Sequence, residues 1–346
     1  MSRHITTSNI RQFILESVAD HDSDLAAHVA STLGISRQAV NKHLKSLVED
    51  NQLVADGKTR SRRYSLKPTH EAHLVLLNDG TLQEDVPWTE QLRPLLNDLP
   101  RNVFEILQYG LTEMLNNAID HSESRDISIA MLRTALAVQL QVMDSGIGIF
   151  RKIKNAMNLE SELQAICELS KGKLTTDPTR HSGEGIFFTS RMFDEFRILS
   201  GSLFFSHSQP NNDWLMECST TSSIKGTSVN MILSVTSTRE FKTVFDQFAS
   251  PENDFKFSRT HVPVKLVQYG SDALVSRSQA KRLLKRFDMF EEVWLDFAGI
   301  SMIGQGFADE VFRVYAKEHP HIKFVPINAS PQVAGMISHA LSNSII

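Results

Sequence analysis

The chain has 346 residues, of which 41% are hydrophobic and 22% charged, and these ordinary globular proportions predict two or three domains with sizeable cores. Its net charge of -4 argues against a surface that is basic throughout, although a local basic unit is compatible with it. The two cysteines lie far apart, which excludes a disulfide framework and a paired zinc motif. No apolar run reaches the ~18 residues of a membrane span, and the start lacks the apolar stretch of a signal peptide, so a cytoplasmic location is expected.

Residues 1–67 are predicted to form three short helices followed by a hairpin. The helices are expected over Gln12–Asp20, Asp24–Leu33 and Arg37–Asp50. Ser23 and Ser36 are the predicted caps of the second and third helices. Two strands, Leu53–Ala55 and Tyr64–Leu66, would flank a basic loop. This order of elements is a helix-turn-helix followed by a wing.

The polar side chains of this segment are suited to DNA. Val40, Leu44 and Leu47 fall on one apolar face of the third helix and leave polar side chains elsewhere. The candidate DNA-binding residues are Gln38, Asn41, Lys42 and Lys45 on the helix and Arg60, Arg62 and Arg63 on the wing. Gln38 and Asn41 would read base edges, while Lys45 and the arginines would hold phosphates. The segment resembles the winged-helix domains of bacterial transcription regulators, which implies DNA binding; a domain used for protein contacts is the alternative.

Residues 101–236, which follow a proline-containing connector at 68–100, carry a series of short motifs. Glu113, Asn117 and His121 recur every four residues and therefore share one face of a long predicted helix. The later motifs are Asp144-Ser145-Gly146-Ile147-Gly148, then Gly183-Glu184-Gly185 before a helix, then Gly226-Thr227 before a strand. Glycines let a ligand approach the backbone closely, and the amides at a helix start can hold phosphates.

In this order the motifs resemble those of the GHKL ATPase superfamily, which includes gyrase-type ATPases, sensor histidine kinases and anti-sigma kinases. The resemblance implies an α/β sandwich, with a mixed sheet and helices on one face, that binds ATP with Mg²⁺. The implied nucleotide-binding residues are Asn117, Asp144, Gly146, Gly148, Gly183, Gly185 and Thr227. Asn117 would coordinate Mg²⁺ through its side-chain oxygen, and Asp144, supported by Thr227, would accept a hydrogen bond from the adenine amino group. The glycines of the second motif would admit the base, and those of the third would meet the phosphates.

The resemblance also implies a catalytic residue and a lid. Glu113 matches the carboxylate that orients the attacking water in hydrolysing members and activates a substrate hydroxyl in kinases; a hydrogen-bonded pair with His121 that only secures the helix is the alternative. Residues Arg151–Ser182 match the lid. Its candidate phosphate contacts are Lys171, Lys173, Arg180 and His181. Phe187 and Phe188 depart from the superfamily pattern, since many members have small aliphatic residues there.

Residues 259–346, which follow a polar join, are predicted to alternate strands and helices in a compact α/β unit. The strands are expected at Val262–Tyr269, Val293–Phe297 and Ile322–Ile327, and the helices at Arg277–Phe287, Phe307–Glu318 and Pro331–Leu341. The runs Leu295–Ile300 and Ile303–Glu310 resemble the STAS-like domains related to anti-sigma antagonists. Gly304-Gln305-Gly306 stands where phosphoregulated antagonists carry their serine, so a docking or dimerisation role is expected.

The order of these units predicts a multidomain α/β protein: a winged helix, a GHKL ATP-binding domain and a small STAS-like domain. The favoured function is an ATP-binding transcriptional regulator in which nucleotide state is coupled to DNA binding. An anti-sigma-type serine/threonine protein kinase and an ATP-gated protein-interaction scaffold stay open as alternatives. The expected partners are DNA, a protein bound by the STAS-like domain and a second copy of the chain, with no membrane.

Overall fold

The computed structural model describes residues 6–58, 61–175, 182–208, 214–217, 223–249, 256–268 and 273–342. None of the helices in these ranges combines the length and the hydropathy that crossing a membrane requires.

The N-terminal unit contains helices α1 (Thr7–Ser17), α2 (Leu25–Leu33) and α3 (Arg37–Glu49) and the antiparallel strands β1 (Leu53–Asp56) and β2 (Arg63–Leu66). These elements enclose a small core of their own, in which Ile14, Val29 and Val40 are completely buried. Ala135 and Leu136, which belong to a turn of the neighbouring sheet, pack against this core from outside the unit. The predicted three helices and hairpin are therefore present, and they touch the rest of the chain at that turn.

The ends of these helices follow from their capping residues. Thr6 caps α1 by accepting a hydrogen bond from a backbone amide of the first turn, so this helix begins earlier than predicted. The predicted cap Ser36 is confirmed, since its side chain accepts from the third amide of α3. The predicted cap Ser23 is wrong, because Asp24 occupies the cap position of α2 and makes no capping bond.

A sheet with seven strands among the described residues forms the middle of the chain. They are β3 (His70–Leu77), β4 (Asp126–Arg133), β5 (Ala137–Asp144), β6 (Glu195–Gly201), β7 (Leu203–Ser208), β8 (Trp214–Glu217) and β9 (Ile224–Ser234). Their order is β3-β4-β5-β9-β6-β7-β8, and each neighbouring pair is antiparallel. The expectation of a mixed sheet is therefore wrong. For the pairs β4–β5 and β6–β7 the reason is local, because the short turns that join them can connect only antiparallel neighbours.

The stretch interpreted as a connector contributes to this sheet. Strand β3 is its edge, and the alternate residues Ala72, Leu74 and Leu76 pack against the core. Further along, Trp88 and Leu92 are buried in a short helical turn that packs against the long helix of residues 101–121. Residues 70–96 are thus integrated into the folded unit that follows them.

Helices cover one face of the sheet, as predicted. They are α4 (Arg101–His121), α5 (Ile149–Ala156), α6 (Glu162–Lys171), α7 (Gly185–Met192) and α8 (Phe241–Phe248). The long helix α4 lies against β5 and β9, and α7 lies against α4 and β6. The apolar stripe of α4, which includes Val103, Leu107 and Leu111, is completely buried. Val75 and Met143 project from the opposite face of the sheet and are exposed.

The C-terminal unit (residues 256–342, apart from 269–272) is built on three parallel strands. Its elements are β10 (Arg259–Pro263), β11 (Glu292–Asp296) and β12 (Lys323–Ile327), with the helices α9 (Arg277–Leu284), α10 (Gln305–Asp309), α11 (Ala316–Glu318) and α12 (Pro331–Ser342). A π-helical stretch, Glu310–Tyr315, joins α10 to α11. The predicted strand Val262–Tyr269 is wrong over Val264–Val267, because a 3-10 turn there buries apolar side chains that a strand would point to both faces, and Tyr269 lies outside the described residues.

The middle and C-terminal units share one continuous hydrophobic core, which extends from Trp88 to Ala340. Aromatic rings form the contact: Phe187 and Phe188 of α7 pack against Phe245, Phe248 and Phe257. The ring centroids of Phe187 and Phe257 are 4.5 Å apart. The two phenylalanines that depart from the superfamily pattern therefore fill the contact between the units.

Candidate nucleotide-binding site

A cavity of about 300 Å³ opens between α4, the end of β5, α5, α6 and the start of α7. This volume lies at the lower end of the range typical for small-molecule sites. The predicted residues that line it are Glu113, Asn117, Asp144, Gly183, Gly185 and Thr227. Motifs that are separated by as many as 114 residues in the chain thus meet around one space, whereas Gly146 and Gly148 are not among the lining residues.

Asp144 and Thr227 form the polar wall at the end of the sheet. They are paired across β5 and β9. The carboxylate of Asp144 accepts a hydrogen bond from the Gly146 backbone N–H over 2.8 Å and another from the Thr227 hydroxyl. The Thr227 oxygen in turn accepts from the Ile149 backbone N–H over 3.0 Å. A carboxylate has about four acceptor sites, so these bonds hold the group in place and leave capacity to accept from a ligand amino group.

Burial raises the pKa of Asp144, and the hydrogen bonds from Gly146 and Thr227 oppose that rise. Only 7% of the residue is exposed. Removing a carboxylate from water disfavours its charged form, so the folded chain maintains this acceptor at a cost in stability.

Gly146 lets two segments of the backbone lie in close contact. A Cβ atom at this position would lie 1.8 Å from the Ser122 carbonyl oxygen, which accepts the Ile147 backbone N–H over 2.8 Å. The absence of a side chain therefore lets the Asp144 loop dock on the end of α4. Gly146 therefore positions Asp144, and the role of this glycine in admitting a base stays a prediction.

The row predicted on α4 faces the cavity, since Glu113, Asn117 and His121 all line it. The Asn117 amide nitrogen donates to the Glu113 backbone carbonyl over 2.8 Å. Because the nitrogen is engaged by the helix, the side-chain oxygen is the atom that a cation can take. The Glu113 carboxylate lies so close to Gly185 that a Cβ there would be 2.0 Å from its Oε2.

Negative charge collects near the start of α7. The pKa of Tyr109 is raised, first by burial and then by the carboxylates of Glu113 and Glu184. Burial also raises the pKa of Glu184, although the nearby Lys173 ammonium opposes that rise. A divalent cation would compensate this concentration of carboxylates.

The donor set fits Mg²⁺ that arrives with a nucleotide. Within the described residues, no group of three or more His, Cys, Asp or Glu side chains forms a cage for a metal. Mg²⁺ commonly keeps water and takes one or two protein ligands together with phosphate oxygens. The Asn117 oxygen beside the Glu113 carboxylate supplies that kind of partial site.

The start of α7 fits a phosphate group. Gly183 and Gly185 line the cavity, and the N-cap residue Glu184 makes no side-chain capping bond. The amides at a helix start carry partial positive charge and point along the axis, where an anion can accept from them.

The structure also places a cation in the cavity that the motifs do not mark. Lys152 on α5 lines it, and its ammonium lies 3.0 Å from the Glu123 carboxylate. Its position one turn after the second motif, in a strongly amphipathic helix, is the signal that could have revealed it.

The predicted lid cations do not reach the cavity. Lys171 is completely buried and donates to the Glu168 carboxylate and the Lys285 carbonyl, and Lys173 donates to the Met289 carbonyl. Their assignment as phosphate contacts is therefore wrong in this structure, since partners in the C-terminal unit engage both ammonium groups. Arg180 and His181 lie outside the described residues.

Those candidate DNA-binding residues of the N-terminal unit that the structure describes are exposed. Those on α3 are Gln38, Asn41, Lys42 and Lys45, and they lie opposite its buried stripe. On the hairpin, the Arg62 guanidinium lies over the Tyr64 ring at 5.5 Å, and Arg63 pairs with Asp22 at 3.0 Å. Arg60 falls outside the described residues.

Comparison with known families identifies two of these units. Residues 88–202 match the histidine kinase-like ATPase domain, and this range contains the first three motifs. Residues 279–334 match a STAS-like domain of unknown function. The comparison with curated proteins found no match. The chain therefore contains a histidine kinase-like ATPase domain, which fits nucleotide binding, followed by a STAS-like domain, which fits protein interaction.

Proposed function

We propose that the protein is a transcriptional regulator that binds ATP with Mg²⁺ in this cavity and couples nucleotide state to DNA binding by its N-terminal unit. The observation that carries the proposal is the convergence of Glu113, Asn117, Asp144 and Thr227 on one space beside the start of α7. The ATPase-domain match over the same residues supports it.

Each group then has a defined task. The Asp144 carboxylate, held by Gly146 and Thr227, accepts from the adenine amino group. The amides at Gly183 and Gly185 bind phosphate, and Lys152 adds a positive charge. Bound Mg²⁺ would neutralise phosphate charge, and the Asn117 oxygen would hold it.

The N-terminal unit is assigned as a winged helix that binds DNA. Its support is geometric, because α3 buries one apolar stripe and leaves Gln38, Asn41 and Lys42 exposed together. Gln38 and Asn41 would read base edges in the major groove, while Lys45 and Arg62 would hold phosphates. We assign 1–67 to this domain, 101–236 to the ATP-binding domain with 68–100 leading into it, and 259–346 to the STAS-like domain.

A path for coupling is provided by strand β5. Leu136, at its start, packs on the core of the N-terminal unit, and Asp144, at its end, lines the cavity. At about 3.4 Å per residue, the two ends are roughly 27 Å apart. Nucleotide contacts at Asp144 would therefore act on the DNA-binding unit through a single strand and its turn.

The test is selection of DNA fragments by the full chain, with and without ATP–Mg²⁺, for wild type and Asn117→Ala. The proposal expects a selected motif whose affinity changes with nucleotide only in wild type. A motif that is indifferent to nucleotide would remove the coupling, and no selection under any condition would remove the DNA assignment. Direct titration with ATP–Mg²⁺ tests nucleotide binding separately.

The contact between Glu113 and the start of α7 supports a second candidate, a serine/threonine protein kinase that acts on a separate STAS-like partner. A carboxylate beside the phosphate-binding turn is suitably placed to activate a substrate hydroxyl. Transfer of labelled phosphate from ATP to a partner protein, lost in Glu113→Ala, would establish the kinase in place of the regulator.

A further inference from the structure

The end of α6 and the residues that follow it make contacts on two sides. Leu169, Leu174 and Thr175 line the cavity. The Leu174 backbone N–H donates to the Gly183 carbonyl over 2.9 Å, so this segment also positions the glycine turn before α7. We call residues 169–175 the lid base.

Side chains of the C-terminal unit hold the other side of the lid base. Thr260 donates its hydroxyl hydrogen to the Lys171 carbonyl over 2.7 Å. The guanidinium of Arg286 donates to the Gly172 carbonyl over 2.9 Å and also to the Lys173 carbonyl. Three consecutive carbonyl groups are thus fixed by residues that follow them by more than 80 positions.

Buried charges make this contact specific. Glu168 and Lys171 are 0% exposed, and their charged groups are 2.6 Å apart. Arg286 supplies a second cation to Glu168 at 3.2 Å, and the Lys171 ammonium also donates to the Lys285 carbonyl over 2.7 Å. Charges away from water are tolerated only when every partner is present, so α6 and the loop after α9 must stay together.

The backbone conformation of Arg286 indicates that the surrounding contacts determine the position of this residue. Its φ of +63° lies in the left-handed region that non-glycine residues rarely adopt, and Lys173, which it contacts, has φ +50°. Such conformations persist where surrounding contacts determine them and are frequent at functional positions.

The C-terminal unit also contacts α7, the helix that follows the proposed phosphate-binding turn. Phe187 on α7 packs on Phe257, and the Arg191 guanidinium donates to the His261 carbonyl over 3.4 Å. The C-terminal unit therefore contacts both elements that border the turn from Gly183 to Gly185.

We propose that the STAS-like unit is an intramolecular support for the nucleotide lid, with Arg286 as its positioning residue, so that nucleotide binding and docking of this unit are linked. The inference rests on the proposed nucleotide binding. If the lid base is correctly placed in only a fraction of the free protein, the apparent affinity for nucleotide is reduced by that fraction. Because such coupling is reciprocal, bound nucleotide strengthens the contact between the C-terminal unit and the lid base. A protein that binds the loop after α9 and displaces it from the lid base therefore weakens nucleotide binding.

The experiment measures the dissociation constant of ATP–Mg²⁺ by calorimetry on the full chain, for wild type, Arg286→Ala, Arg286→Lys and Thr260→Val. Arg313→Ala is the matched control, because Arg313 lies in the same unit and pairs with Asp309 rather than with the lid base. We expect Arg286→Ala to weaken binding at least about fivefold, as coupled sites typically do. Arg286→Lys should recover part of the affinity, and Thr260→Val should show a smaller loss in the same direction.

Hydrogen exchange distinguishes positioning from general destabilisation. The Leu174 amide should exchange faster in Arg286→Ala while amides of the N-terminal unit stay unchanged, and ATP–Mg²⁺ should slow exchange around Phe287 in wild type. Equal affinities in all variants, with no nucleotide effect at Phe287, would overturn the inference while leaving nucleotide binding intact. Failure of wild type to bind ATP–Mg²⁺ would instead remove the proposed function, and the inference with it. If Arg286→Ala does not fold, the wild-type exchange and Thr260→Val decide.

Discussion

Replacing Asp144 by asparagine should weaken ATP binding without weakening the apo fold. The substitution keeps the shape and one carbonyl oxygen, which can still accept from the Gly146 backbone N–H. It removes the charge that makes a hydrogen bond to the adenine amino group strong. Hydrogen bonds to charged groups contribute about 1.5–3 kcal/mol and neutral ones about 0.5–1.5, so the expected loss is ~1–1.5 kcal/mol, or about tenfold in Kd.

Asp144→Asn should affect the stability of the apo protein in the opposite direction to its effect on ATP binding. Burial raises the pKa of Asp144 in the folded state above its unfolded value of 3.8, so the folded chain binds a proton more readily than the unfolded one. The ionised carboxylate therefore costs stability at neutral pH, and this cost disappears as the pH falls through the folded pKa. Asp144→Asn removes the cost at every pH, so the apo protein should melt at the same temperature as wild type or higher.

Calorimetric titration with ATP–Mg²⁺ and thermal melting of the apo protein measure the two effects. Asp126→Asn is the matched control, since it makes the same chemical change at an exposed position on β4. An Asp144→Asn variant with wild-type affinity would refute the role in adenine recognition. A fall of several degrees in the apo melting temperature would refute the argument from burial.

Three further predictions follow from individual contacts. Asn117→Ala should bind ATP equally with and without Mg²⁺, whereas wild type should bind more tightly with it, as titrations with and without a chelator would measure. Phe257→Ala should lower the free energy of unfolding by about 3–5 kcal/mol, because it opens a cavity where the two larger units meet; urea denaturation measures this, and a loss below about 1 kcal/mol would contradict it. Asp98→Asn should cost less than about 1 kcal/mol at pH 7, since the Asp98 side chain is 72% exposed and water screens its charge. The Arg133 guanidinium lowers the pKa of Asp98 to about 2, so this stabilisation is present above pH 3.8 and lost as the pH falls towards 2; a difference from wild type that persists at pH 2 would count against it.

The candidate site was predictable where its pattern is local. The spacing of Glu113, Asn117 and His121 follows the helical period, so the sequence alone predicts that they share a face. Asp144 and Thr227 were brought together only by the resemblance, because strand pairing across more than 80 residues leaves no local pattern. Lys152 was missed because it belongs to no motif.

The partners of the lid lysines could not be predicted from neighbouring residues in the sequence. A basic residue in a lid is ordinarily expected at a phosphate, yet Lys171 is buried against a carbonyl 114 positions later. Nothing near Lys171 in the sequence indicates that partner. The phenylalanines at 187 and 188 were visible as a departure, but their reason, the rings of α8 and the C-terminal unit, lies outside the motif.

The shared core also bears on how such a chain can be reassembled. Domains joined by a linker can be exchanged between genes, because each half keeps its own interior. Here the rings of Phe187 and Phe257 pack against each other across the two units, and a cut after residue 249 would remove Phe257 from its contact with Phe187. A recombination event that brought a different C-terminal unit to this ATPase domain would have to bring matching aromatic side chains with it. We therefore expect the C-terminal unit to be exchanged only together with the ATPase domain, whereas the N-terminal unit, which has its own core, can be exchanged by itself.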